Sequence, residues 1–173
     1  MVGRGSRTRV DLPHIGGGQD RFRILIIEGR YYDDICDALL EGAVAEIEAA
    51  GAAYDRITVP GALEIPQVLG QAINAGLFSV AAQGARYSGA VALGCVIRGE
   101  TSHYDIVCNN TNHWLMDVAM RHHVPVGNAI LTVDTEAQAL ERARGGRDGK
   151  GGDAARACMR LVEIARQFQG QGA

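Results

Sequence analysis

The sequence predicts an α/β fold in which four parallel strands form one sheet with helices on both faces. Three observations carry this expectation. The chain is 173 residues long, the length of one domain rather than two. A short apolar run of strand length, "FRILIIEG", suits a strand buried on both faces. Runs of this length then alternate four times with segments whose apolar residues fall at helical spacing, the signature of strand-helix units in a parallel sheet.

Residues 1–20, "MVGRGSRTRVDLPHIGGGQD", mix Gly, Arg and polar residues without a period and read as a flexible tail; residues 21–173 read as a single domain. After the first strand, "DDICDALLEGAVAEIEAAGA" places Ile35, Leu39, Leu40, Ala43, Val44 and Ile47 on one helical face, and Gly51 stands where the helix should stop. The second unit is "YDRITVPG" followed by "LEIPQVLGQAINAG", in which Pro66 suits a first helical turn. The third is "GAVALGCVI" followed by "SHYDIVCNNTNHWLMDVAMRHH". The fourth is "VGNAILTV" followed by "TEAQALERAR", with a last helix from about residue 152 to 167. The stretch 78–89, rich in small residues, reads as an enlarged surface loop. Right-handed crossovers that must cover both faces make a three-layer, flavodoxin-like sandwich the economical topology.

Composition narrows the function. The net charge is -3, and the 17 basic residues are scattered, so the stripe of positive charge expected of a nucleic-acid binder is missing. Cysteines 36, 95, 108 and 158 lack C-x-x-C spacing and fall in or beside apolar segments, which favours small buried thiols over disulfides or metal ligands. No apolar run approaches the roughly 20 residues of a membrane span. The expectation is a cytoplasmic protein that uses no metal and no cofactor and binds neither membrane nor nucleic acid.

Open parallel sheets bind ligands beyond the carboxyl ends of their strands, so chemistry is sought at "EGRYYD", "VPGALEIP", "CVIRGETSHYD" and "LTVDTEAQALER". The third exit is the densest. A helix starting near Ser102 would set the Arg98-Gly99 turn, Thr101 and Ser102 at its N-terminus, where free N–H groups and the helix dipole favour an anion such as phosphate. His103, one residue on, suits a general acid or base. The competing reading is an ordinary cap by Thr101 or Ser102, with Asp105 closing a weak capping box. Glu64 can accept hydrogen bonds from a ligand or complement the helix dipole, and Tyr31 or Tyr32 can offer an aromatic face to a planar heterocycle or simply pack. The arginines and Lys150 of "ERARGGRDGKGGDAA" read as a phosphate clamp or a solvated charge run; the P-loop spacing fails because Gly151 follows Lys150. His122 and His123 suit a helix C-terminus.

Taken together, "ITVPGALEIP", "LGCVIRGETSHYDIVCN" and "PVGNAILTVDTEAQALERA" occur in an order and register that resemble the lumazine synthases of riboflavin biosynthesis from about Arg23 to Leu161. The resemblance implies an enzyme, a transferase. It would condense 5-amino-6-(D-ribitylamino)uracil with 3,4-dihydroxy-2-butanone 4-phosphate to give 6,7-dimethyl-8-ribityllumazine, phosphate and water. It further implies that Tyr31 stacks on the pyrimidine, that Ala62, Leu63 and Glu64 hold the ribityl chain and ring, and that Cys95, Val96 and Ile97 bind the uracil through their backbone. By the same resemblance Glu100, Thr101, Arg142 and Lys150 meet phosphate, and His103 is the proton donor. Leu63 and Asn128 stand where the family is often aromatic, and Gly146 where some members carry a lysine beside the position of Arg147. Finally, the resemblance implies a homo-oligomer built from pentamers with sites between subunits. The alternative is a related carrier that binds lumazine or flavin without turnover.

Overall fold

The computed structural model describes residues 22–78 and 85–170; the proposed tail 1–20 and half of the proposed 78–89 loop lie outside the described residues. Strands β1 (Arg23–Gly29), β2 (Ala53–Val59), β3 (Gly89–Ile97) and β4 (Val126–Val133) form one parallel sheet in the order β2-β1-β3-β4. The helices are α1 (Asp33–Ala49), α2 (Ile65–Asn74), α3 (His103–His122), α4 (Glu136–Ala143) and α5 (Lys150–Gly170). This is the predicted four-stranded flavodoxin-like sandwich.

Side-chain alternation along the strands divides the core in two. Ile24 and Ile26 face α1, α4 and α5 through Ile35, Leu39, Ala43, Ala139 and Met159. Leu25 and Ile27 face α2 and α3 through Ile65, Leu69 and Leu115. All four β1 side chains are fully buried, each worth about 1.5–3 kcal/mol of apolar burial. By contrast β2 is an edge strand, which is why it tolerates the exposed Arg56, Ile57 and Thr58.

Local chemistry explains the boundaries. The chain turns after α1 at Gly51, whose φ of +71° costs a residue without Cβ nothing. Pro66 occupies the first turn of α2, as expected. Helix α4 opens on a full capping box in which Thr135 and Gln138 exchange hydrogen bonds. At helix α3, Ser102 precedes the helix but makes no side-chain cap bond; of the two candidate hydroxyls it is that of Thr101 that accepts from the His103 N–H, at 3.4 Å. Asp105 closes no capping box at Ser102; an ion pair with Arg98 at 3.5 Å takes its carboxylate. His123 ends α3 in the left-handed region with φ of 54°.

The Gly-rich link before α5, although largely exposed, is fastened to α1 through Arg147. Glu46 of α1 is buried and accepts from Arg147 at 2.7 Å and from Arg156 at 3.0 and 3.2 Å. Arg156 also donates to the Arg147 carbonyl at 3.1 Å. Burial opposes ionisation of Glu46, but the two arginines outweigh it and hold its carboxyl below the usual carboxylate range. A depressed folded value stabilises the fold at pH above the unfolded value, and that contribution fades as pH falls through the folded value. Glu46→Gln is therefore expected to lose about 1–3 kcal/mol at pH 7 in urea denaturation. Its stability should also fall less steeply than the parent's on acidification below pH about 4.5. Equal acid slopes for the two proteins would refute the assignment.

Candidate active site

The sheet order reverses at β1: α1 carries the chain to β2 on one side and α2 returns it to β3 on the other. Right-handed crossovers in opposite directions put α1 and α2 on opposite faces, leaving a crevice at the strand ends between β1 and β3. At this crevice Gly29 lets the exits meet, because a Cβ there would come within 2.9 Å of the Gly61 backbone.

A cavity of about 300 Å³ opens here. Nine of the residues expected from the sequence line it: Tyr31 at the β1 exit; Ala62, Leu63 and Glu64 in the short 3-10 turn after β2; Cys95, Val96 and Ile97 at the end of β3; and Thr101 with His103 at the start of α3. The wall is graded. Cys95 and Ala62 are buried, Val96 and Ile97 half-buried, and Tyr31 stands 73% exposed at the rim. Tyr31 meets Tyr32 edge to face, with ring centroids 4.9 Å apart.

Tyr32, Gly61, Gly99, Tyr104 and Val107 also line the cavity. Of these, Tyr104 and Val107 are not singled out by the sequence motifs, although with His103 they share one helical face. Burial raises the Tyr104 phenol above its usual range, reinforced by Cys108, and burial likewise raises Tyr32. Burial pushes the Cys95 thiol up to about 12, so it stays protonated at neutral pH and supplies no thiolate nucleophile.

Arg98 fastens the polar turn from outside the cavity. Its N–H donates to the Val133 carbonyl at 2.9 Å, and its Nε donates to Asp134 Oδ1 at 3.0 Å. Its guanidinium lies 4.1 Å from the Tyr104 ring centroid. The exits of β3 and β4 and the first turn of α3 thus meet at one side chain.

Four expected residues do not line this cavity within one chain. Glu100 projects from the turn between Gly99 and Thr101 and is exposed. Asn128 lies too low on the sheet: it pairs with Ala92 while Cys95 pairs with Leu131, three residues or about 10 Å away along the strand. Its amide donates to Asn112 Oδ1 at 2.7 Å, and its Oδ1 accepts from the Ile130 N–H. Arg142 is exposed on α4, where its Nη1 donates to the Gln138 carbonyl. Lys150 opens α5 and pairs with Asp153 at 3.1 Å.

Comparison with known proteins gives one consistent family. A family model described as 6,7-dimethyl-8-ribityllumazine synthase matches residues 21–166. The chain is 53% identical over 146 residues to the 6,7-dimethyl-8-ribityllumazine synthase of Nitrobacter hamburgensis, covering 84% of this chain and 87% of that protein. It is likewise 53% identical over 146 residues to 6,7-dimethyl-8-ribityllumazine synthase 1 of Rhodopseudomonas palustris, with the same coverage. To the protein of that name from Agrobacterium fabrum it is 50% identical over 147 residues, covering 85% of this chain and 97% of the relative. With the motifs at the strand exits and the cavity between them, these matches establish that the chain belongs to the 6,7-dimethyl-8-ribityllumazine synthase family.

Proposed function

We propose that the cavity at the β1/β3 crevice is where this transferase of riboflavin biosynthesis condenses 5-amino-6-(D-ribitylamino)uracil with 3,4-dihydroxy-2-butanone 4-phosphate. The observation that carries the proposal is the convergence of an aromatic rim, an apolar strand end, a carboxylate and a histidine from three strand exits on one cavity. Tyr31 stacks on the pyrimidine, backbone groups of Cys95, Val96 and Ile97 pair with its polar edge, and Glu64 with Ala62 and Leu63 holds the ribityl chain. The turn carrying Glu100 and Thr101 receives the phosphate at the N-terminus of α3.

The substrate amine attacks the ketone carbonyl to give a carbinolamine, which loses water to an imine. Phosphate then leaves by elimination with the proton of the adjacent carbinol carbon, and the resulting enol becomes a ketone. The ribitylamino nitrogen attacks that carbonyl and closes the second ring with loss of a second water. No protein nucleophile is needed, in keeping with the protonated Cys95 thiol. His103 shuttles protons during dehydration and phosphate departure. The larger share of catalysis comes from holding two reactants in register: proximity contributes up to roughly 7–11 kcal/mol, against about 10² to 10⁴-fold for one acid-base group.

The oligomer belongs to the same reading. Arg142, Lys150 and Asn128 stand outside the cavity of their own chain, and a neighbouring subunit's copies complete the site. On α3, Ile106, Trp114, Met116 and Met120 are exposed apolar side chains, 45–68% accessible, of the kind a subunit interface covers. We assign these surfaces to a pentamer acting in the cytoplasm. No helix among the described residues is long and apolar enough to cross a membrane.

Incubating the protein with both substrates should generate lumazine fluorescence; binding of lumazine without its formation would instead mark a carrier. His103→Ala should lose about 10 to 10³-fold in turnover while remaining measurably active, and complete inactivity with both substrates still bound would contradict the dominance of proximity. Arg142→Ala should raise KM for the phosphorylated substrate about tenfold or more and leave KM for the pyrimidine near its parent value. An unchanged KM for the phosphorylated substrate would remove Arg142 from the phosphate site.

A further inference from the structure

Besides Glu46, the described residues bury one further carboxylate that the mechanism above does not use. Glu28, the penultimate residue of β1, is fully buried. Its Oε1 accepts from Arg30 Nη1 at 2.8 Å and its Oε2 from Arg56 at 2.7 Å. Arg30 does more than neutralise it. The same guanidinium donates to Asp33 at 2.9 and 3.1 Å and to Asp37 at 2.7 Å, in the first two turns of α1. Its backbone N–H donates to the Val59 carbonyl at 2.9 Å. One arginine thereby joins β1, the end of β2 and α1.

Only Arg30, Tyr31 and Tyr32 separate β1 from α1. Tyr32 occupies the N-cap position of α1 and supplies no side-chain cap bond, so the entry to the helix is set by the Arg30 fork rather than by a cap. The two tyrosines between these anchors form one wall of the cavity. We propose that Arg30, seated on the buried Glu28 carboxylate, is a positioning residue that fixes the Tyr31–Tyr32 wall for the pyrimidine substrate. This rests on the reading of Tyr31 as the stacking surface. A planar guanidinium with five N–H donors meets three carboxylates at defined angles. A lysine ammonium is a single point that can neutralise Glu28 but cannot also bridge to Asp33 and Asp37.

The test is steady-state kinetics of lumazine formation, varying each substrate in turn, on Arg30→Lys, on the double variant Asp33→Asn/Asp37→Asn, and on Tyr31→Ala. Arg30→Lys should raise KM for the pyrimidine roughly tenfold while KM for the phosphorylated substrate stays within about twofold. The double variant removes only exposed carboxylates and leaves the Glu28–Arg30 pair intact. It should move the same constant in the same direction by a few-fold, so the inference is testable even if Arg30→Lys does not fold. Equal rises in both KM values, or no rise in the folded variants, would overturn it, because a loss of general rigidity does not select one substrate. If Tyr31→Ala itself leaves the pyrimidine KM unchanged, the stacking reading fails and the inference with it. If Tyr31→Ala raises that KM while the Arg30 and Asp33/Asp37 variants do not, only the positioning role is refuted.

Discussion

The site depends on a reversal of strand order. Because β1 pairs with β2 on one edge and β3 on the other, three consecutive strand-helix connections must leave the sheet at adjoining points. The two flanking helices must also take opposite faces. The residues that follow each strand are thereby delivered to one crevice, although Tyr31, Glu64 and His103 lie far apart in the chain. Stability and chemistry meet there: the fully buried apolar run of β1 anchors the sheet, and the polar segments beginning at its last residues form the cavity.

Ion pairs hold those polar segments in place. Arg30 ties the first exit to α1, Arg98 ties the third exit to the fourth, and Glu46 with Arg147 and Arg156 seats the link between α4 and α5. Each network has a planar arginine whose guanidinium reaches a carboxylate on another segment of the chain. Exposed pairs of this type contribute little to global stability. Those seated on the buried Glu28 and Glu46 carboxylates are different, since removing one partner leaves a charge without its counter-ion in the protein interior. Geometry is thus fixed near the site by interactions that add modestly to folding.

The periodicity of the chain makes its strands and helices legible, and the carboxyl-end rule turns that into a short list of candidate residues, nine of which line one cavity. What the sequence conceals is long-range pairing. Arg147 looks like a solvated charge or a phosphate ligand until the fold brings it to Glu46, 101 residues away, and Arg98 gains its function from Asp134 across the sheet. Ser102 has the chemistry of a cap, yet its backbone is already in the helical region, with φ of -68° and ψ of -4°, so its side chain makes no cap bond. Asn128 is drawn toward the site by resemblance alone, Arg142 and Lys150 by resemblance and by their place in or beside a basic, Gly-rich link. Strand register and helix placement keep them away from the cavity of their own chain, and the proposed oligomer would bring a neighbour's copies to it.

The central claim is that one chain supplies the pyrimidine side and the proton shuttle while its neighbour supplies the phosphate-binding arginine. Subunit complementation tests it most directly. His103→Ala and Arg142→Ala subunits are unfolded together, refolded as mixed oligomers, and assayed for lumazine formation at low concentration of the phosphorylated substrate. Sites formed between different chains should recover about a quarter of parental activity in a random equal mixture, because half of the chains at each side of an interface carry the intact residue. Activity that stays at the mean of the two variants refolded separately would place both residues in the same chain's site and contradict the account.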